Sequence, residues 1–297
     1  MQSDASLAPS GRGPTSRPLP VVLLTLAVIL IVLAIVIVLV VFKLTGTSPV
    51  AVVPDLAPVS STLVQDLNTL PTKTFDTVGD PAGPLLSAPS VIRNGPALTL
   101  HGLPAVVWVG TLYNPASAAQ RWALVIALAR FGRFEKLYAT SSSTVEVFPG
   151  TVTFSLYGSV YRSSEVSLAA VEEYGNESSN QAPVGFERLQ TPDSTESQAM
   201  RSYDRSPWAQ SGVFPFIDVA NRIVVSGTDF SPGLLSGLTM QQVTTDLANP
   251  SLPVTEALLG EANQITAAIC AARGGSPARV CSTSAVERAA VGLGLGR

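Results

Sequence analysis

The run Val21–Phe42, VVLLTLAVILIVLAIVIVLVVF, constrains this chain more than any other feature. Its 22 residues include no charge, no glycine and no proline, and Thr25 is the one polar member. At ~1.5 Å per residue a helix of that length reaches roughly 33 Å, enough to cross a hydrocarbon core of about 30 Å. A cleaved signal peptide would have an apolar stretch of about 7–15 residues ending in small residues. This run is longer, and Lys43 follows it directly. The reading is therefore one uncleaved transmembrane helix over 21–42, in contact with the lipid bilayer.

Arg12, Arg17 and the amino terminus precede the run, whereas after Lys43 the next basic residue is Lys73. That bias places the N-terminus in the cytoplasm and the remainder outside, as a single-pass protein of the cell membrane. Residues 1–20, rich in Ser, Gly and Pro, read as a disordered cytoplasmic tail. Residues 43–60 carry Pro49, Pro54 and Pro58 and read as an extended stalk. Residues 61–297 are left as one extracytoplasmic domain, long enough for a single hydrophobic core.

Composition excludes more than it proposes. The net charge is −3, so no basic field attracts nucleic acid. One histidine and two cysteines cannot build a four-ligand Cys/His zinc site, and neither a metal nor a cofactor is expected. A serine-hydrolase triad would have to use His101, which sits in a loop before Gly102 with no partner identified by the sequence.

Within the domain, Ser61 caps a short amphipathic helix, and residues 71–100, with many Pro, Gly and Ser, read as an irregular wrap. Ala105–Val109 is a continuous apolar run that suits a buried strand. Asn114 and Pro115 stand at the N-cap and first position of a helix running to Phe131 and stopping at Gly132. Strands are expected near 136–140, 151–157 and 165–171, with a loop over 158–164. Residues 172–190 read as a polar loop, and Glu172-Glu173 as a solvated strand end. Thr191-Pro192 opens a helix to about Tyr203. Phe216–Val219 and Arg222–Ser226 form a hairpin turning at Ala220-Asn221, and helices over 239–247, 254–272 and near 284–291 close the chain. Trp108 and Trp122 are expected in the core. The order of elements gives an α/β (α+β) layered domain.

The segment VVWVGTLYNPASAAQRWALVIALARFG resembles a thioredoxin-type strand–turn–helix, in which Cys-Pro-x-Cys stands at the helix N-terminus. The later GVFPFIDVANRIVV resembles the second thioredoxin signature, with Pro215 matching its cis-proline. More closely, Gly110, Tyr113, Pro115, Ala118, Ala119, Arg121 and Trp122 match a motif similar to G-x-x-Y-C-P-x-C-A-A-x-R-W. That motif belongs to a family of membrane-anchored proteins, the domain of unknown function 929. SSSTVEVFPGTVTFSLYGS, VEEYGN and ITAAIC also look like that family, and the resemblance spans roughly Leu70–Cys281. It implies a thioredoxin-like central sheet with flanking helices.

The degenerate redox motif is Asn114-Pro115-Ala116-Ser117, with both family cysteines replaced. Asn114 has nothing to ionise, and an alcohol at Ser117 cannot act as a thiolate, so dithiol exchange through this site is excluded. Asn114 reads as a helix N-cap worth about 1 kcal/mol. Cys270 and Cys281, with ten residues between them that include Gly274-Gly275 and Pro277, are expected to form a structural disulfide outside the cytoplasm. A reactive dithiol is the rival, disfavoured by the absence of close CxxC spacing. The expected function is a non-catalytic binding role toward an unknown envelope protein or ligand, through the old motif edge around Tyr113–Ser117 and Phe214-Pro215. Two alternatives are an envelope thiol-disulfide oxidoreductase using Cys270/Cys281 or partner thiols, and a purely structural envelope protein with that edge filled.

Overall fold

The computed structural model describes residues 29, 30, 32–34, 36, 56–79, 86–180, 182 and 184–295. The chain divides into two units, Met1–Val50 and Ala51–Arg297. In the first, the described residues Ile29, Leu30, Val32, Leu33, Ala34 and Val36 are helical and exposed. Most of the expected membrane span 21–42, the tail 1–20 and residues 43–55 of the expected stalk lie outside the described residues. Among the described residues no helix is long and apolar enough to cross a membrane.

The second unit is a mixed α/β structure. It opens with β1 (Ala57–Pro58), α1 (Ser61–Asn68) and α2 (Thr72–Val78). Then come β2 (Ser90–Val91), β3 (Thr99–Leu100), β4 (Leu103–Gly110) and α3 (Pro115–Ala129). The middle of the chain forms β5 (Gly132–Ser141), β6 (Val152–Ser163), β7 (Ser167–Glu172), β8 (Tyr174–Ser178) and β9 (Phe186–Arg188). α4 (Ser194–Tyr203), β10 (Phe216–Val219) and β11 (Ile223–Ser226) follow. The chain closes with α5 (Met240–Asp246), α6 (Pro253–Ala272), α7 (Ala278–Cys281) and α8 (Ser284–Gly292).

The main sheet runs β2-β11-β10-β4, with β7 parallel to β4 and every other pair in it antiparallel. Strand side chains alternate between faces. Val106 and Trp108 join α3 and α6 in one core cluster. Val107 and Val109 join Ala199 and Tyr203 of α4 in the other. Burial on both faces is why β4 reads as an unbroken apolar run rather than an alternating one. From Ser117 to Ala129 α3 is buried on every side, which is the environment a helix apolar all round requires.

The structure departs from the sequence reading in several places. α2 and the two-residue strands β2 and β3 lie inside the stretch read as an irregular wrap; pieces this short leave no period to detect. β6 runs unbroken through the expected loop 158–164, because pairing with β5 holds it and Gly158 accepts a φ of 71°. The helix expected at Thr191-Pro192 starts at Ser194 instead. There Asp193 and Glu196 form a reciprocal capping box that satisfies two end groups, which Thr191 cannot match. Gly132 does not terminate α3 in a left-handed turn but opens β5. A Cβ there would stand 2.3 Å from the Arg162 carbonyl oxygen, so close strand approach is what requires glycine. The presumed polar loop 172–190 contains the β8–β9 hairpin.

Pairing with the domain begins before Ser61. Ala57 and Pro58 pair with Ala139 and Tyr138, and the Val59 N–H donates to the Leu137 carbonyl at 2.9 Å. At the far end, Cys270 and Cys281 are joined by a disulfide with Cα atoms 5.5 Å apart, both residues buried. Closing a loop of this size stabilises by about 3 kcal/mol in the chain-entropy model.

Candidate functional site

The motif edge lies where β4 ends. Register sets Phe216 beside Val109 and Glu172 beside Gly110, so β7 and the start of β10 flank the strand just before it turns into α3. Pro215 immediately precedes β10, and the Phe214–Pro215 peptide is cis. Asn114 is the N-cap: its side-chain oxygen accepts the Ser117 N–H at 3.0 Å, and Pro115 takes the first helical position. The carboxamide therefore occupies the end of the helix that would otherwise stabilise an anion. Ser117 is wholly buried and its hydroxyl has no partner. An alcohol so placed has neither a base to take its proton nor solvent to exchange with.

The chain itself packs over this edge. Tyr113 stacks on Phe186 of β9, ring centroids 4.1 Å apart and planes 2° from parallel, and meets Tyr174 of β8 edge-on at 6.3 Å. The Leu112 N–H donates to the Tyr174 carbonyl, and the Ser143 N–H to that of Tyr113. Burial raises the Tyr113 phenol above its ordinary pKa.

His101 occupies the β3–β4 turn with Gly102; both have positive φ, 53° and 78°, the conformation of a tight two-residue hairpin. That turn starts β4, whereas Asn114 follows its other end, roughly 25 Å away along an eight-residue strand. His101 cannot act on Ser117. Neither cysteine is a free thiol. Among the described residues no group of three or more His, Cys, Asp or Glu could hold a metal ion.

The sequence reading placed Glu172 and Glu173 at a solvated strand end, and this is corrected. Both are buried. Glu172 pairs with Arg121 of α3 in two parallel hydrogen bonds, Nε to Oε1 at 2.7 Å and Nη2 to Oε2 at 2.9 Å. Arg121 also donates to the Thr111 carbonyl, and its guanidinium lies 5.2 Å from the Trp108 ring centroid. Glu173 accepts from Arg188 at 2.8 Å, and Arg188 in turn donates to the Tyr174 hydroxyl. Two ion pairs thus tie α3, β7 and the β8–β9 hairpin together behind the motif. One signal for the first pair was present: Arg121 is the one charged residue of α3. Its partner, 51 positions away, was not readable.

A second buried polar group starts from the adjacent residue of α3. Gln120 donates to Glu261 of α6 at 2.7 Å, and Asp229 neighbours Glu261. Burial, then repulsion from Asp229, raises Glu261 well above the ordinary carboxyl range; burial raises Asp229 too. Two carboxyls in such a place hold a proton between them.

Among families of known proteins, the one described as domain of unknown function (DUF929) matches residues 91–271, more than half of the chain. No curated protein and no solved structure matches.

Proposed function

The chain belongs to the DUF929 family, and from that premise we propose that it is a membrane-anchored, extracytoplasmic thioredoxin-like domain that has lost its redox dithiol and serves a non-catalytic structural or binding role at the cell envelope. The observation that carries this reading is the Asn114 carboxamide at the N-terminus of α3, bonded to the Ser117 N–H where the motif of the family would set its sulfurs. The sheet order β11-β10-β4-β7, with its parallel β4–β7 pair and α3 and α6 against one face, supports the thioredoxin-like part. The aromatic cover of Tyr113 supports an edge that is part of the packing rather than an open catalytic groove. The rival, exchange through Cys270 and Cys281, would need access to two sulfurs that are buried and bonded to each other.

Restoring the sulfurs tests the ancestry of this edge. The full chain carrying Asn114→Cys and Ser117→Cys should form a second disulfide that dithiothreitol opens and air recloses while the far-ultraviolet circular dichroism stays unchanged. Two thiols that never pair in folded protein would count against the reading. The topology is tested separately: protease added to intact cells should digest the domain. Full protection, with digestion only after lysis, would reverse the orientation that Arg12, Arg17 and Lys43 suggest.

A further inference from the structure

We propose that the cavity between the end of the β10–β11 hairpin and the Pro207–Val213 loop binds a neutral sugar, a pyranose unit of a glycan. The cavity measures about 420 Å³, within the usual range for small-molecule sites of about 300–1,000 Å³. Trp208 and Val213 supply apolar wall, and Ser90, Gln210, Ser226 and Thr228 are among its polar lining. Among the described residues, no lining residue is charged. Arg205, whose guanidinium lies 6.0 Å from the Trp208 centroid, is not among them.

That inventory selects a chemistry. A charged ligand would give up its hydration and find no opposite charge. A wholly apolar ligand would leave the Gln210 amide in the lining without a partner. A pyranose presents a C–H face to an aromatic ring and hydroxyls around its rim, which is what a lining of Trp208, Ser90 and Gln210 can meet. Tyr203 fixes the indole edge-on, with centroids 5.1 Å apart and planes at 89°. The Thr228 hydroxyl is committed to the Phe230 backbone and the Ser226 hydroxyl is buried beneath the surface, so Ser90 and Gln210 carry the polar contacts. The site involves neither Asn114 nor Ser117 and stands whether or not the motif edge is a former redox centre.

The chain has three tryptophans, and Trp108 and Trp122 are wholly buried, so a ligand-induced change in tryptophan emission reports on Trp208. The experiment titrates the full chain, in a zwitterionic detergent without a sugar headgroup, with N-acetylated chitotriose and maltotriose, and with the charged controls chitosan trimer and galacturonate trimer. A saturable change with at least one neutral trisaccharide is expected at a Kd of about 1 mM or tighter, and binding at least about tenfold weaker for the charged trimers. By calorimetry, Trp208→Ala should abolish binding, Trp208→Phe should retain part of it, and Gln210→Ala should weaken it. If Trp208→Ala fails to fold, the other two variants decide. No saturable response to either neutral trisaccharide, undiminished affinity in the variants, or equal affinity for the charged trimers would overturn the proposal.

Discussion

Replacing Glu172 by alanine should destabilise the domain by about 3–5 kcal/mol, the usual cost of leaving one member of a buried ion pair without its partner. Arg121 and Glu172 are both fully buried, so the stranded guanidinium has no water to turn to. The Leu156 N–H, which donates to Glu172 Oε1 at 3.3 Å, loses its acceptor as well. Glu172→Gln keeps an acceptor oxygen and should cost less. The double variant Arg121→Met with Glu172→Leu removes both charges and should recover much of the loss, though not all, since the Thr111 carbonyl then lacks its donor. Denaturant unfolding of the four proteins measures this. Equal stability of Glu172→Ala and the parent would mean that water or another group satisfies Arg121.

The second large effect is a pH dependence centred on Asp218. This carboxyl lies in the middle of β10, fully buried, between Val107 of β4 and Val224 of β11 in register. Burial pushes its pKa from an ordinary 3.8 to about 7, against the smaller lowering effect of the Asn221 N–H, which donates to Oδ1 at 2.7 Å. The folded state therefore keeps a proton between pH 4 and 7 that the unfolded chain releases. The Asp218 contribution to stability should fall as pH rises through that window, by about 1.4 kcal/mol per pH unit and about 4 kcal/mol in all at most, and level off above pH 7. Glu196, raised to about 7 by burial and by Asp193, has the same sign. Asp218→Asn keeps an oxygen for the Asn221 N–H and cannot ionise. It should be about 2–4 kcal/mol more stable than the parent at pH 8 and within about 1 kcal/mol of it at pH 4.5. Parallel stability profiles for the two proteins would show that Asp218 titrates normally.

What was legible in the sequence was what local physics dictates. The apolar run of β4, Asn114-Pro115 ahead of α3, the β10–β11 hairpin with Ala220 and Asn221 at φ 53°, and α6 all carry their cause within a few residues. The Cys270–Cys281 bridge was readable because only one pairing existed. What was illegible depends on distant partners. β6 continues past Tyr157 because β5 lies beside it, and its second half shows no apolar alternation. β8 and β9 are polar strands that hold Tyr174 and Phe186 against Tyr113. Glu172 and Glu173 look like solvated charges until Arg121 and Arg188 arrive from α3 and β9. At the motif edge the residues could be named in advance, but the aromatic cover over them could not.

The central claim is that the end of α3 carries no redox chemistry, and dithiothreitol-coupled reduction of insulin by the full chain tests it most directly. The account predicts a rate no greater than that of dithiothreitol alone, for the parent and for the variant with both Cys270 and Cys281 changed to Ser. Catalysed turnover that survives the loss of those two cysteines would contradict it, because the chain would then be exchanging disulfides without a sulfur of its own to do so.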